Sequence, residues 1–236
     1  FGDTLELQLI GQKNEIDKLT VNRDGSININ EIGKIFVSGL SLETASDLIK
    51  NKIKNAYIGI EAFVTLVNVR DIQVLISGSA YRPGMYTLNG NSSVLHAIAM
   101  AGGISDNGSY REVNVIRNNE VISSIDLYDI FVFGNSGFST NLRSGDVIHI
   151  PQHKNLVHAI SGVNRPMIYE LKKGETLMNL VNYANGFNSN ANLNTILVER
   201  IINGDISIFN LSNNKLSSTT AMDNDSMLIE EFVFGK

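Results

Sequence analysis

Few side chains in this sequence are suited to chemistry. Cysteine is absent, and of the four histidines three, His149, His153 and His158, fall close together around Pro151. Alternation on a strand, or an i, i+4 spacing on a helix, would bring imidazoles onto one metal ion. Pro151 interrupts any helix there, and no Asp or Glu stands between His149 and His158 to complete a ligand set. They read as exposed linker histidines, and no metal site is expected. Asp223-Asn224-Asp225 and Asn22-Arg23-Asp24-Gly25 have the composition of calcium loops. Neither begins the loop of about twelve residues with a closing Glu that such a site needs, so both read as turns. Glu230 and Glu231 are adjacent and point to opposite faces of a strand, which rules out an acid–base pair. No nucleophile elbow, phosphate loop or dinucleotide fingerprint occurs. The residues therefore predict no catalytic group and no cofactor.

The composition is that of a folded protein: 43% hydrophobic and 18% charged, with a net charge of −5. Without a basic cluster there is no phosphate-neutralising face, and nucleic acid is not an expected partner. No apolar run approaches the roughly 18–20 residues of a membrane helix. The chain opens on Phe1-Gly2-Asp3 with neither an initiator Met nor a signal peptide, and reads as a trimmed piece of a longer protein.

Asn-rich turns between short alternating segments predict many strands, among them 4–9, 64–69, 113–116, 147–150 and 195–198. Three helices are predicted. One spans 42–55, capped by Ser41, with Leu42, Ala45, Leu48, Ile49 and Ile53 at helical spacing. The others span 94–101 and 177–184, capped by Ser93 and Thr176 and stopped by Gly102-Gly103 and Asn185-Gly186. Asp24-Gly25, between Leu19-Thr20-Val21 and Ser26-Ile27, is a hairpin signal.

The second and third helices are copies. Arg82-Pro83 aligns with Arg165-Pro166, Tyr86 with Tyr169, Leu88 with Leu171, Ala101 with Ala184, Gly103 with Gly186 and Arg117 with Arg200, at a constant offset of 83. Ser77-Gly78 falls on Ser161-Gly162, and Asp146 on Asp225. A period of about 80 residues is domain-sized, and the order strand, turn, strand, helix, strands suits a helix laid on a small mixed sheet. The expected fold class is α+β, with domains at 1–71, 72–154 and 155–236. Within each copy, Gly78 and Gly162 are expected where a side chain would clash. Pro83-Gly84 is expected to centre a type II turn, Gly84 taking positive φ, and Met167 is expected to force a different turn in the second copy. Arg117 and Arg200 are expected to pair with a carboxylate.

These residues resemble a known family. Gly2-Asp3, Val21 with Asp24-Gly25, Ile32-Gly33, Val37 and Gly39-Leu40 follow the signature of polysaccharide export domains, with Phe1 and Asn30-Glu31 in place of the usual prolines. Ile76-Ser77-Gly78, Arg82-Pro83-Gly84, Tyr86, Ala101-Gly102-Gly103, Val115-Ile116-Arg117 and Gly145 to Pro151 resemble the soluble-ligand-binding β-grasp (SLBB) pattern. The second copy keeps Gly162, Arg165-Pro166, Tyr169, Ala184, Gly186 and Arg200. The resemblance implies the periplasmic part of an outer-membrane channel for capsular or extracellular polysaccharide. It also implies a homo-oligomeric ring, an inner-membrane polysaccharide co-polymerase or kinase partner, and a lipoprotein anchored through segments outside this chain. The competing readings are a soluble sugar- or ligand-binding β-grasp module with no channel role, and an enzyme acting on polysaccharide, which the missing acid–base pair argues against. With a sugar polymer as substrate, Tyr81-Arg82 and Tyr110-Arg111, in predicted loops, are the candidate sugar contacts. Tyr86 and Tyr169, at equivalent positions, are expected to be structural.

Overall fold

The computed structural model describes residues 1–135 and 140–232. It is an α+β protein whose contacts group it into two compact units. One is built on residues 1–73 with 87–92 and 141–144, the other on 74–86, 93–140 and 145–236. Among the described residues no helix is long and apolar enough to cross a membrane.

The N-terminal part runs β1 (Thr4–Gly11), β2 (Glu15–Thr20), β3 (Ser26–Ile29), β4 (Gly33–Phe36), α1 (Leu42–Ala56) and β5 (Ile60–Asn68). An antiparallel sheet has the order β2-β1-β5, and β3 and β4 form a separate ribbon. Alternation sorts β1 by face: Leu5, Leu7 and Leu9 are buried and share one core with Ile49 and Ile53 of α1. Ser41 caps that helix by accepting the Thr44 N–H at 3.1 Å. The Asp24-Gly25 turn forms, with Asp24 Oδ1 accepting the Ser26 N–H at 3.0 Å. Its flanking strands do not make the expected hairpin, however, because β2 pairs with β1 and β3 pairs with β4. The turn passes the chain from one sheet to the other.

The rest of the chain folds the same way twice. The first copy runs β6 (Asp71–Gly78), β7 (Gly84–Asn89), α2 (Val94–Met100), β8 (Val113–Arg117), β9 (Glu120–Ile125), α3 (Leu127–Phe131) and β10 (Val147–Ile150). The second runs β11 (Leu156–Ser161), β12 (Met167–Glu170), α4 (Leu177–Tyr183), β13 (Ala191–Ile202), β14 (Asp205–Leu211), a 3₁₀ turn (Asn213–Ser218) and β15 (Ser226–Glu231). The sheet orders, β7-β6-β10-β8-β9 and β12-β11-β15-β13-β14, are equivalent strand for strand. In each, the first and last strands of the copy run parallel at the centre. Only α3 and the 3₁₀ turn were not expected; both are too short to show a helical period.

Small features repeat with the fold. The N–H groups of Tyr81 and Arg82 donate to Gly103 and Ala101 carbonyls, as those of Asn164 and Arg165 do to Gly186 and Ala184. Gly78 and Gly162 have φ of +81° and +75°. A Cβ on them would stand 2.1 Å from the Ile150 carbonyl oxygen and 2.3 Å from Ile229 Cβ, so the expected clash is real. The turn expectation at Pro83-Gly84 is corrected: Gly84 is not left-handed and opens β7, just as Met167 opens β12. With no positive φ required, both copies make the turn alike and Met167 carries no strain.

Candidate functional site

Two kinds of polar contact organise the copies: some occur once in each, and others occur once only. In the first copy Arg117, ending β8, meets Asp146, just before β10, through Nε–Oδ1 at 2.7 Å and Nη2–Oδ2 at 2.8 Å. In the second, Arg200 of β13 meets Asp225, just before β15, at 2.7 and 2.6 Å. Both are bidentate forks. The carboxylates are buried, with 1% and 0% side-chain exposure, whereas the arginines keep 23% and 12%. Backbone bonds repeat beside them: Leu75 N–H donates to the Asp146 carbonyl and His158 N–H to that of Asp225. The pair thus ties the closing strand of each sheet to its neighbours on both sides. Tyr86 and Tyr169 also act alike, donating their hydroxyls to the Arg82 and Arg165 carbonyls at 2.6 and 2.7 Å across the turn.

The contacts that occur once centre on Arg111, which is 5% exposed and reaches from the first copy into the second. Its Nε donates to both Asp126 oxygens at 2.9 and 3.0 Å. Nη1 donates to the Glu170 carbonyl at 2.9 Å and to Glu175 Oε2 at 3.0 Å. Nη2 donates to Glu175 Oε1 at 3.0 Å and to the Tyr183 hydroxyl at 3.1 Å. Every donor of the fork is used. The guanidinium carbon lies 4.4 Å from the ring centroid of Tyr128 and 4.7 Å from that of Tyr183. Those rings meet edge to face at 5.2 Å. Around this centre Glu170 accepts from Ser109 Oγ and the Tyr110 N–H, Tyr128 OH accepts the Glu170 N–H, and Lys172 pairs with Asp126 at 2.7 Å.

Burial would raise the carboxyl pKa values of Asp126 and Glu175. The hydrogen bonds from Arg111, with help from Lys172 and Tyr183 respectively, outweigh it and hold both below their usual range. Burial pushes the Tyr128 phenol up to about 12. Burial and the bond to Glu175 push Tyr183 up to about 12 as well, so both phenols stay neutral.

The four residues expected to contact sugar are placed unequally. Tyr81 is 57% exposed and donates to Asp106 Oδ1 at 2.8 Å. Arg82 is exposed beside it, and Tyr110 is 41% exposed. Arg111 is enclosed in the joint, because six acceptor contacts and two rings draw its side chain inward. Of the histidines, His149 lies on β10 with Nδ1 3.1 Å from Ser77 Oγ, and His158 lies on β11. Among the described residues no group of three metal-ligating side chains is brought together. Glu231 is occupied by the Gly162 N–H and the Asn188 amide, and Glu230 by the Asn192 amide.

The joint was missed in the sequence, although a signal for it exists. At the offset of 83 Arg111 falls on Asn194, Glu170 on Thr87, Glu175 on Ser92 and Tyr183 on Met100, and past one inserted residue after Arg200, where the offset is 84, Asp126 falls on Asn210 and Tyr128 on Ser212. Each member of the network stands where the copies differ.

Comparison with known proteins agrees with this architecture. Residues 1–69 match the polysaccharide biosynthesis/export protein model, and residues 72–150 and 161–208 each match an SLBB domain model. The fold is thus an export domain followed by two SLBB domains. The chain belongs to the polysaccharide biosynthesis/export family. Two curated relatives, each a polysialic acid transport protein KpsD of Escherichia coli, are 30% and 29% identical over 149 residues. That stretch is 62% of this chain and 26% of each relative, so the match spans about a quarter of their length.

Proposed function

We propose that this chain is the periplasmic part of an outer-membrane channel that exports a capsular or extracellular polysaccharide. The observation that carries this reading is the order of domains, an export domain and then two SLBB domains, matched over most of the chain. The transport named for the relatives supports it. The role is passive. The energy and chemistry come from an inner-membrane polysaccharide co-polymerase or kinase partner. The full-length protein is a homo-oligomeric ring and a lipoprotein, held at the outer membrane by segments beyond this sequence. The domain limits in this reading fall at 71/72 and 154/155.

Along the polymer path, Tyr81, Arg82 and Tyr110 are the proposed sugar contacts, since exposed aromatic faces and a guanidinium suit sugar rings and hydroxyls. Arg111, the fourth expected contact, is 5% exposed and enclosed in the joint, so the proposal rests on the other three. Alanine at Tyr81 and Tyr110 together lowers export if they touch polymer; normal export in that variant removes them.

Surface polysaccharide in the native host tests the function itself. Deleting the gene removes polymer from the cell surface, and the full-length gene restores it. Normal surface polymer without the gene would overturn the export role and favour a soluble ligand-binding module.

A further inference from the structure

The sheet of the second SLBB repeat has the strand order β12-β11-β15-β13-β14, so β12 and β14 are its edges. With neighbouring strands about 4.8 Å apart, those edges stand about 19 Å from each other and cannot meet within one chain. One face of the sheet is taken: Val198, Met227 and Tyr169 share a core with Leu180 and Val181 of α4. Alternation sends their strand neighbours to the opposite face, and there the β13–β14 hairpin is apolar. Ile201 pairs across it with Ile206, and Glu199 with Ile208. Ile201, Ile206 and Ile208 are each more than half exposed. The hairpin of the first repeat is shorter. There β8 stops at Arg117, whereas β13 runs two residues past the equivalent Arg200, to Ile202. Strand β14 contains neither Lys nor Pro, the residues that commonly protect an open edge. A long apolar edge of that kind invites a cover from outside.

The opposite edge is its complement. On β12 Met167 and Ile168 are also more than half exposed. Ile168 alternates with the buried Tyr169, which places it on the same helix-free face as the hairpin isoleucines. Charge then separates the two edges. Arg165, just before β12, is exposed and makes no ion pair among the described residues. Glu199 and Asp205, on the hairpin, are exposed and likewise make none among the described residues.

We infer that the β13–β14 hairpin of one copy docks on the β12 edge of a second copy, head to tail. Ile201, Ile206 and Ile208 cover Met167 and Ile168 of the neighbour, and Glu199 and Asp205 face its Arg165. A second copy is favoured over a foreign partner because both halves of the contact, apolar and opposite in charge, lie at opposite edges of one sheet. A contact between unlike patches repeats from copy to copy and closes into a ring where the rotation allows. The inference rests on the ring of the export reading and names the surfaces on which neighbouring subunits meet.

The chain contains no cysteine, so introduced thiols report without background. The test treats Ile168→Cys and Ile206→Cys variants of this chain with a short bismaleimide. Mixed, the two should give a covalent dimer. Alone, neither should, because a head-to-tail contact does not bring a residue to its own equivalent. Adding Arg165→Glu to the first variant should cut the mixed dimer by about fivefold, and Glu199→Lys with Asp205→Lys in the second should restore it. Every substituted position is exposed, so each variant should keep the native amide NMR spectrum. No dimer in the mixture, an equal yield of dimer from either variant alone, or a yield unmoved by the charge reversal would each overturn the inference. Any of these, in a host whose surface polymer still depends on the gene, would leave the export role standing.

Discussion

The two SLBB repeats share a sheet order and a set of paired residues, but they differ in what they offer each other. The shared contacts are local: the Arg–Asp fork, the Tyr hydroxyl on the turn carbonyl, and the glycine under the closing strand each hold one repeat's own sheet together. The unshared contacts run mostly between repeats, and Arg111 stands at their centre. A duplicated domain needs the first set twice. A joint between unlike faces needs the second only once, so its residues lie at positions where the copies have diverged. The division is physical, and it can be broken from either side.

The largest effect is expected at the joint. Arg111→Met keeps much of the volume but strands Asp126 and Glu175, whose side chains are 13% and 19% exposed. Removing one partner of a buried ion pair costs about 3–5 kcal/mol. Chemical denaturation should show that loss, with the repeats melting apart; a wild-type curve would mean that the joint adds little. The same contacts respond to acid. The folded pKa values of Asp126 and Glu175 lie below the reference values of 3.8 and 4.5. Their contribution is therefore fully present above about pH 4.5 and is lost as pH falls through the folded values. Melting temperature should fall on acidification through this window, and less steeply in Arg111→Met than in the wild type.

A smaller loss is expected within a repeat. Asp225→Asn weakens a charge-assisted fork and should cost about 1.5–3 kcal/mol. Asp146→Asn should cost less than Asp225→Asn, because Arg117 is the more exposed arginine, at 23% against 12% for Arg200. Equal losses would mean that the arginine's exposure does not set the strength of the fork. Tyr169→Phe and Tyr86→Phe each remove one hydroxyl bond, for about 1 kcal/mol apiece. Smallest of all is Gly84→Ala. The backbone there is not left-handed and a Cβ meets nothing within 4 Å, so stability should stay level or rise by up to about 1 kcal/mol. A clear loss at Gly84 would restore the type II turn.

What the sequence made legible follows the same line. Duplication amplifies a signal, and the caps at Ser93 and Thr176, the arginines and the glycines could each be read because they occur twice. For Arg117 the sequence points only to some carboxylate, since the fork spans 29 positions of chain and joins a strand end to a distant turn. At Arg111 the loop placement shows in the sequence and the burial does not. Burial there is created by a second domain, through contacts about 60 positions away. The hairpin at Asp24-Gly25 failed for a related reason. A turn signal fixes the local bend, while strand pairing is decided by what each strand finds across the sheet.

The central structural claim is that the unshared joint makes the two repeats one cooperative body. Native-state amide exchange on Val115 and Ile148 in the first repeat and Val198 and Met227 in the second, all fully buried, measures it directly. The account predicts one common opening free energy for these amides in the wild-type chain, and two separate values in Arg111→Met. Separate values already in the wild type, or a common value that survives the loss of Arg111, would contradict it.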